Sequence, residues 1–432
     1  MLRIFCLKSS LTVIAVTVII IFLGLTVCNE RPRPNFRIAA ALASTGEGVS
    51  EASLEVDDPR FSGIEVAAKE EIDAGNIPGA VVLVGHRGRV VYRRAFGQRW
   101  TEPEPQPMTV DTIFDIASLT KVVATTTAIM QLWERGLLNI NAYVTKYWPD
   151  FGQNGKDRVK VRQLLAHTSG LREGINPSLP WSDYQGALQT IAVDRLYRAP
   201  GTYKYSDVDF IVLGEIVQRV SHQDLQVYCT EKIFKPLKMK QTSFNPPGTW
   251  RARIAPCIGE QHDLKWGEVQ DPDANRLGGV AGNSGVFSTA DDLAVFAQML
   301  LDGGKSGGER ILSPGAVAAM TKPQRDTGFQ RGLGWDIQSY YSKEFIASFP
   351  EGSYGHTGYT GTSIWVDPSS KTYLIILTNR LYPKRGDARP LRAKIAEAVA
   401  EALNIEAKTG VSGVNVSGLN VIRGRSGRSS RQ

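Results

Sequence analysis

The stretch IFDIASLTKVVATTTAIMQL, residues 113–132, decides the fold, and the rest of the chain is organised around it. Its small and apolar residues, which include Val122 and Leu132, are spaced so that they would cover most faces of a helix. This spacing is typical of a buried helix. Ser118 lies at the predicted first turn and Lys121 follows three residues later, so a hydroxyl and an amine share one face. The stretch therefore predicts a buried helix that carries a serine nucleophile beside a lysine base.

This pairing suits nucleophilic catalysis because a serine hydroxyl attacks a carbonyl efficiently only when a nearby group takes its proton. Burial and neighbouring donors lower the pKa of a lysine toward the range needed for that role. The N-terminus of the helix adds backbone N–H groups where an oxyanion would form. A chain of this length contains on the order of one Ser-x-x-Lys tetrad by chance, so a capping serine with a surface lysine is the alternative. The other motifs have to decide between these interpretations.

The 432-residue chain is long enough for one large domain or two intertwined ones, and its charge lies mainly at its ends. The formal net charge is +7, with +4 in residues 1–37 and +4 in the last ten, so the remainder carries −1. A nearly neutral body gives no support for nucleic-acid binding, and no nucleic-acid partner is expected. Only Cys229 and Cys257 of the four cysteines lie in the body, too few for a disulfide framework, and their pairing stays open.

Residues 1–28 are predicted to be a signal sequence or a membrane anchor. Residues 11–27 form an almost unbroken apolar run behind two basic residues, which suits either role. An uncleaved anchor that attaches the protein to the membrane is the first interpretation, and lipidation at Cys28 is the second. Either one predicts a location in the cell envelope, with the body exported to the periplasmic or extracellular face.

Three further segments follow the predicted anchor. Residues 29–58 are predicted to be a flexible tether, residues 59–405 the folded body and residues 406–432 a disordered basic tail. Apolar runs at both ends of the body predict strands, and helical periodicity dominates its middle. The predicted fold class is α+β: one antiparallel sheet built from both chain ends and flanked by helices, with an inserted all-helical subdomain. The predicted helices include 61–74, 161–165, 208–220, 293–301 and 391–403, the strands are 80–85, 90–95, 332–339, 363–366 and 373–378, and 171–200 and 245–285 are predicted to be irregular.

Two further motifs lie downstream of the serine. Tyr205 and Asp207 belong to a Tyr-Ser-Asp loop that leads into a predicted helix. The glycine-rich motif GHTGYTG, residues 355–361, comes immediately before a predicted strand. Glycines on either side of a small polar pair let the backbone lie against a ligand with its N–H groups turned outward. The chain therefore offers a serine and lysine helix, a tyrosine loop and a glycine-rich strand edge.

In this order, the three motifs resemble those of the serine β-lactamase and penicillin-binding protein family. The resemblance is strongest to the class C β-lactamase branch, which also contains DD-carboxypeptidases, esterases and D-aminopeptidases. It runs from about Phe61 to Leu403 and implies the sheet and inserted helical subdomain of this family, with the site between them. The supporting segments are LLAHTSGL at 164–171, Pro-Gly at 200–201, the stretch 279–292 that ends in STADD, GLGW at 332–335 and GHTG at 355–358.

The resemblance implies a role for four side chains. Ser118 would be the acylated nucleophile and Lys121 its proton partner. Tyr205 matches the family tyrosine that shares the base role and passes the proton to the leaving group. His167 is predicted to be structural, because the family pattern puts its segment beneath the site. Spacing to acids or cysteines that would suit a metal ligand is lacking for His86, His222 and His262, so no metal or other cofactor is expected.

The glycine-rich motif would border the substrate. His356 stands where many relatives have lysine, and relatives with His-Thr-Gly are common among the esterases and peptidases. Thr357 and Gly358 follow it and complete the motif. The backbone N–H groups of Ser118 and Tyr359 would form the oxyanion hole, in which one donor contributes roughly 3–4 kcal/mol.

One position departs from the family pattern, because Asp207 stands where class C enzymes have asparagine. An asparagine both donates and accepts hydrogen bonds, whereas a carboxylate only accepts. Near Lys121, the carboxylate should raise the pKa of the lysine and hold it charged, which leaves Tyr205 more of the base work. It also removes a donor that the side-chain amides of β-lactams use. We therefore predict poor β-lactam hydrolysis.

The leading hypothesis is a membrane-tethered serine hydrolase that acts through an acyl-enzyme on a small-molecule or peptidoglycan-derived substrate. The first substrate class is the D-alanyl-D-alanine end of a peptidoglycan peptide, cut by a carboxypeptidase or peptidase. A small-ester esterase and a β-lactamase are the enzymatic alternatives. A non-catalytic muropeptide receptor is the alternative from another class, although it has no need of Ser118, Lys121 and Tyr205 together. The oligomeric state stays open.

Overall fold

A six-stranded antiparallel sheet forms the framework of the protein, and both ends of the folded chain contribute to it. The computed structural model describes residues 56–324, 331–337, 339, 342 and 346–406. The sheet has the order β11-β12-β13-β1-β2-β3, and each neighbouring pair is antiparallel, which confirms the predicted fold class. In chain order the strands are β1 (Gly79–His86), β2 (Arg89–Trp100), β3 (Gln106–Pro107), β4 (Phe114–Asp115), β5 (Ser243–Phe244), β6 (Cys257–Ile258), β7 (Leu264–Lys265), β8 (Val286–Ser288), β9 (Lys305–Ser306), β10 (Glu309–Arg310), β11 (Tyr354–Thr357), β12 (Ser363–Asp367) and β13 (Thr372–Thr378).

Strand β1 lies near the centre of the sheet and is buried on both faces. Val82 pairs with Ile376 of β13 on one side and with Arg94 of β2 on the other. Successive side chains of a strand point to opposite faces, so Val82 and its neighbour Val81 enter different parts of the core. Cover on both faces explains why β1 is a continuous apolar run instead of an alternating one.

Helices cover both faces of the sheet and fill the middle of the chain. The α-helices are α1 (Ser62–Asp73), α2 (Thr127–Glu134), α3 (Val161–Leu165), α4 (Tyr184–Val193), α5 (Asp207–Ser221), α6 (Leu225–Cys229), α7 (Pro272–Arg276), α8 (Ala290–Leu301), α9 (Pro314–Met320) and α10 (Arg389–Leu403). Helices α1 and α10 pack against each other over one face of the sheet, and α8 packs against β1 and β13 on the other. Short 3₁₀ turns span Pro59–Phe61, Ala117–Leu119, Val144–Lys146, Pro149–Gly152 and Gly248–Arg253, and π-helical turns span Lys121–Thr126 and Thr230–Phe234.

The stretch 113–132 is buried as predicted, but it is not one regular helix. Ser118 lies in a 3₁₀ turn, Lys121 opens a π-helical turn, and α2 begins only at Thr127. The side chains of the π-helical turn are all buried. Such turns are rare and occur frequently at functional sites. The hydroxyl and the amine therefore lie at the irregular end of a core element.

The region 171–200 was predicted to be irregular, and this is wrong for the part that forms α4. The Asp183 carboxylate caps this helix by accepting the Gly186 N–H at 2.8 Å. Glycine and β-branched residues within α4 are weak helix formers, which hides the helix from propensity alone. Buried Leu188 and Ile191 join α4 to the core, and this packing supplies the missing stability.

The strand predicted at 332–339 is also wrong. Within the described residues 331–337, Arg331 and Asp336 form an isolated bridge, and Asp336 forms a second one with Gly355. Gly334 has a φ of 82°, and a Cβ at this residue would lie 2.2 Å from Thr126 Oγ1. The chain therefore turns where the sequence pattern predicts an extended run.

The segments predicted to flank the body fall mostly outside the described residues: the anchor at 1–28, most of the tether at 29–58 and the tail after residue 406. The folded part already includes Val56, whose N–H donates to the Arg93 carbonyl at 2.9 Å. Asp58 caps the 3₁₀ turn that starts at Pro59. Val56 and Asp58, which lie at the end of the predicted tether, therefore make hydrogen bonds with described residues. The described part of the chain contains no helix that is both long and apolar enough to cross a membrane.

The pairing of the two body cysteines was left open by the sequence. Cys229 and Cys257 are both buried and both free. Burial raises the pKa of the Cys229 thiol, so this side chain is a protonated core group. Neither cysteine contributes a disulfide to the fold.

Candidate active site

Ser118 lies in a tight turn directly after β4. This strand pairs with β8, and the Ile116 N–H donates to the Val286 carbonyl at 3.0 Å. Ala117, the residue before the serine, has a φ of 47°, a left-handed conformation that is costly for a residue with a Cβ. The hydrogen bond to β8 therefore fixes the start of the turn, and the backbone is strained at the residue before the serine.

The Lys121 ammonium group contacts three oxygen atoms. Its Nζ lies 2.9 Å from Ser118 Oγ, 2.6 Å from Asp207 Oδ1 and 3.0 Å from the Asn283 carbonyl oxygen. The lysine side chain is completely buried. Lys121 thereby joins the serine turn to the start of α5 and to the loop before β8.

Two opposing effects set the charge of Lys121. Burial acts to lower the pKa of the lysine, whereas the negative charge of Asp207 acts to raise it. With a further contribution from Tyr205, the pKa of Lys121 lies above its usual value. Lys121 is therefore a cation that donates a hydrogen bond to Ser118, which agrees with the predicted effect of Asp207.

Tyr205 is the second group that contacts the serine. Its hydroxyl lies 3.0 Å from Ser118 Oγ. Burial raises the pKa of Tyr205, and the nearby Lys121 ammonium opposes this rise. The ring centroid of Tyr205 lies 4.4 Å from that of His167 and 6.2 Å from that of His356. Aromatic packing therefore fixes the direction of the tyrosine hydroxyl.

The start of α5 positions Asp207. Ser206 caps this helix by accepting the Asp209 N–H at 3.1 Å, and the Asp207 N–H donates to the Glu173 carbonyl at 2.7 Å. A carboxylate in the first turn of a helix is favoured by the positive end of the helix dipole. The Asp207 side chain is 31% exposed, so it faces solvent as well as Lys121.

His356 is a buried, neutral residue of β11. Its Nδ1 lies 2.9 Å from the Thr357 carbonyl oxygen, which only accepts, so Nδ1 carries the proton and Nε2 is an acceptor. Burial lowers the pKa of His356 far below its usual value, and the charges of Arg331 and Lys121 add to this effect. The histidine therefore brings no positive charge to the position where many relatives have lysine.

Gly358 brings the glycine-rich motif against the serine turn. A Cβ at this residue would lie 2.7 Å from the Ile116 carbonyl oxygen, so only glycine allows the approach. Tyr359 follows, with its side chain 44% exposed. The guanidinium carbons of Arg380 and Arg385 lie 4.9 and 5.4 Å from the centre of its ring. The turn after β11 is therefore lined by a tyrosine flanked by two cations.

His167 lies behind Tyr205 and makes no contact with the serine. Its Nδ1 lies 3.2 Å from the Ser206 N–H, which it accepts, and 3.3 Å from Asp209 Oδ2. Burial lowers the pKa of His167 far below its usual value. This neutral ring packs against Tyr205, as expected of a structural residue.

The sequence comparison decides the family. The model of the family described as Beta-lactamase matches residues 64–398, which hold all the motif residues described above. The chain belongs to the Beta-lactamase family. It therefore has the fold of serine β-lactamase-related hydrolases, as the motifs predicted.

Proteins similar to this chain differ in the activity that their names describe. A Salmonella agona (strain SL483) protein named "Putative D-alanyl-D-alanine carboxypeptidase" is 30% identical over 366 residues, covering 75% of this chain and 83% of the relative. The solved structure of EstCE1, described as a hydrolase with promiscuous acyltransferase activity, has a TM-score of 0.64 at 24% identity and covers 78% of this chain and 98% of its own. A penicillin-binding protein homologue from Caulobacter crescentus has a TM-score of 0.65 at 22% identity, with 80% and 98% covered. The two structural likenesses establish the fold.

Sequence reasoning missed two groups that hold the motif residues of this family member in place. The Asn283 carbonyl accepts from Lys121, and the Asp115 carboxylate accepts the Ala117 N–H at 2.8 Å. Asn283 lies in the segment 279–292, which the resemblance covered without assigning a residue to the site. The signal for Asp115 was its position three residues before Ser118, in the central stretch itself.

The described residues show no candidate metal centre. None of their histidine, cysteine, aspartate and glutamate side chains form a group of three or more that could hold a metal ion.

Proposed function

We propose that the protein is a serine hydrolase that forms an acyl-enzyme on Ser118. The observation that carries this proposal is that Ser118 Oγ lies within hydrogen-bond distance of both Lys121 Nζ, at 2.9 Å, and the Tyr205 hydroxyl, at 3.0 Å. A nucleophile beside two groups that handle protons is the arrangement that acyl transfer needs. Membership of the Beta-lactamase family supports the same chemistry.

In this proposal the tyrosinate form of Tyr205 is the base, because Lys121 is held as a cation. Burial raises the pKa of Tyr205, so the fraction of tyrosinate, and with it the rate of acylation, should increase with pH. The tyrosinate form is stabilised by the Lys121 ammonium, which lies 5.1 Å from the centre of the ring. Ser118 Oγ forms a bond to the substrate carbonyl carbon while its proton moves to the tyrosine oxygen. Tyr205 then gives this proton to the leaving amine or alkoxide as the C–N or C–O bond breaks. Water attacks the acyl-enzyme in the second half, and Tyr205 takes its proton and returns one to Ser118.

The proposed oxyanion hole consists of the backbone N–H groups of Ser118 and Tyr359. The close approach of Gly358 to Ile116 supports this pairing, because it brings the two backbones together. Neither amide donates to an acceptor elsewhere in the described part of the chain, so both are available to a substrate oxygen. Two such donors stabilise the negative charge that develops during acylation.

The substrate class that we propose first is a peptide that ends in D-alanyl-D-alanine. Such a substrate carries a carboxylate next to the bond that is cut, so a carboxypeptidase needs a cation near the leaving group. Neutral His356 does not supply it. Arg380 and Arg385 flank Tyr359, and the Arg385 side chain is exposed. The name of the Salmonella relative supports the same substrate class.

A second candidate is the hydrolysis of small esters. The observation that favours it is the neutral state of His356, which brings no positive charge to the site. Two nearby cations are already paired, Lys121 with Asp207 and Arg331 with Asp336. An ester that lacks a carboxylate would meet no unpaired charge there. β-Lactams remain poor candidates because Asp207 lacks the donor that their side-chain amides use.

We place this activity in the cell envelope. The apolar run at residues 11–27, which lies outside the described residues, supports export of the body and its attachment to a membrane. The name of the Salmonella relative contains the D-alanyl-D-alanine carboxypeptidase activity proposed above, and a peptidoglycan-derived substrate agrees with such a location.

Substrate panels test this proposal. The purified protein and its Ser118→Ala variant are incubated with an N-acylated D-alanyl-D-alanine peptide, a p-nitrophenyl butyrate ester and nitrocefin. Release of D-alanine by the wild type alone supports the carboxypeptidase. Ester turnover without D-alanine release favours the esterase, and fast nitrocefin turnover contradicts the prediction drawn from Asp207. Binding of the D-alanyl-D-alanine peptide with equal affinity by both proteins, without turnover of any of the three compounds, identifies the non-catalytic receptor.

A further inference from the structure

The backbone immediately before Ser118 is strained. Ala117 has a φ of 47°, which lies in the left-handed region that a residue with a Cβ rarely adopts. Such strain persists only when surrounding contacts enforce it, and it concentrates at functional sites. The contacts that enforce it here therefore bear on the direction of the Ser118 side chain.

Asp115 makes the contact that holds this conformation. Its Oδ1 accepts the Ala117 N–H at 2.8 Å, and its Oδ2 accepts the Gln270 N–H at 2.7 Å. Its own carbonyl oxygen accepts the Thr360 hydroxyl at 2.8 Å. One residue therefore ties the serine turn to the loop before α7 and to the loop that carries Tyr359.

Holding a carboxylate in this place is costly for the fold. Asp115 is 3% exposed, and the partners of its carboxylate among the described residues are backbone N–H groups, not a cation. Burial raises the pKa of Asp115 to about 6, although the N–H groups of Gln270 and Ala117 act in the opposite direction. An asparagine would avoid the buried charge, but its amide group offers one acceptor and one donor where the structure presents two N–H groups. Only the carboxylate accepts both.

We propose that Asp115 is a positioning residue that holds Ala117 in its left-handed conformation and thereby directs Ser118 Oγ toward Lys121, Tyr205 and the substrate carbonyl. It contacts no reacting atom, so it acts on the rate of acylation and leaves ground-state binding of the substrate unchanged. This inference rests on the proposed role of Ser118 as the nucleophile.

The test compares Asp115→Asn with Asp367→Asn in the full-length protein. Asp367 also accepts two backbone N–H groups with its two oxygens, those of Ser369 and Ser370, and it is also buried. It lies at the opposite end of β12 from the site, so it is a matched control. The measurement is the time course of covalent labelling by a fluorophosphonate probe, resolved into the affinity for the probe and the maximal labelling rate.

We expect Asp115→Asn to lower the maximal labelling rate about 10- to 100-fold with the probe affinity unchanged, because a small misplacement of the nucleophile is sufficient. Asp367→Asn should label like the wild type. Labelling of Asp115→Asn at the wild-type rate would overturn the inference and leave the proposed function intact. Failure of the wild type to label would instead overturn the proposed function, and the inference with it.

A double-mutant cycle tests the mechanism even if Asp115→Asn folds poorly on its own. Ala117→Gly removes the strain, since glycine adopts positive φ without cost. If Asp115 acts by enforcing this conformation, the loss of labelling rate on Asp115→Asn is smaller in the Ala117→Gly background than in the wild-type background. An equal loss in both backgrounds would contradict the proposed role.

Discussion

Lys121 Nζ lies closer to Asp207 Oδ1, at 2.6 Å, than to Ser118 Oγ, at 2.9 Å. The lysine of the Ser-x-x-Lys motif is therefore an ion-paired cation in the resting protein. A cation next to the nucleophile stabilises negative charge but takes no proton. The base work consequently moves to Tyr205, and this relationship determines how the activity should depend on pH.

In Asp207→Asn, the increase of kcat/KM with pH should occur about one pH unit lower than in the wild type. The negative charge of Asp207 raises the pKa of Lys121 and contributes to raising that of Tyr205. Removal of this charge should therefore lower both pKa values. Both changes make a base available at lower pH. The measurement is kcat/KM against pH, with Glu173→Gln as a control, because Glu173 pairs with Lys204 at the surface. An unchanged profile for Asp207→Asn would show that neither group is the base.

Tyr205→Phe should lower kcat/KM by about 10²- to 10⁴-fold, the range of a general base. The tyrosine hydroxyl bonds to Ser118 Oγ and also interacts with the Lys121 side chain. Phenylalanine keeps the ring that packs against His167, so the melting temperature should change little. Tyr228→Phe removes another buried tyrosine hydroxyl and should leave the rate unaltered. Retention of the wild-type rate by Tyr205→Phe would exclude Tyr205 from proton transfer.

Ala117→Gly should raise the free energy of unfolding by about 0.5–1 kcal/mol. The left-handed conformation of alanine costs roughly 1–2 kcal/mol, and the greater freedom of glycine in the unfolded chain offsets part of the gain. Urea unfolding monitored by tryptophan fluorescence measures the change. Ala124→Gly, at a buried position of the π-helical turn, should act in the opposite direction. A loss of stability on Ala117→Gly would show that position 117 is not strained.

His356→Gln should make the stability of the protein less sensitive to acid. In the folded state, His356 has a pKa far below its usual value. As the pH falls below about 6.5, this histidine therefore binds a proton in the unfolded chain but not in the folded chain. This group therefore favours folding above that pH, and its contribution is lost as the pH falls. Its removal should reduce the slope of the unfolding free energy between pH 5 and 6 by up to about 1.4 kcal/mol per pH unit.

The control for this prediction is His262→Gln, at an exposed position. It should leave the slope as in the wild type. An unchanged slope for His356→Gln would indicate that His356 is protonated in the folded state.

The sheet and the main helices could be predicted because their signals are local. β1 is a continuous apolar run, and α8 begins at a capping threonine, Thr289, that accepts the Asp292 N–H. The serine, the lysine and the tyrosine were found through spacing and resemblance. Such features depend on residues close together in the chain.

What the sequence did not predict depends on contacts between distant residues. Helix α4 is stabilised by packing against the core, although its residues include weak helix formers. Gly334 lies where a Cβ would come within 2.2 Å of Thr126 Oγ1, more than 200 positions earlier in the chain. The neutral state of His356 arises from burial near Arg331 and Lys121, two residues that approach it only in the folded chain. Asn283 and Lys121 are 162 positions apart in the chain, so no local sequence pattern predicts the contact between them.

Intact-mass spectrometry after incubation with a fluorophosphonate probe tests the central claim, that Ser118 is the nucleophile, most directly. The wild type and Ser118→Ala are treated side by side, and the modified residue is located by peptide mapping. We predict one adduct on the wild type, located on Ser118, and none on Ser118→Ala. An equal adduct on both proteins, or an adduct on the wild type at any other residue, would contradict the account.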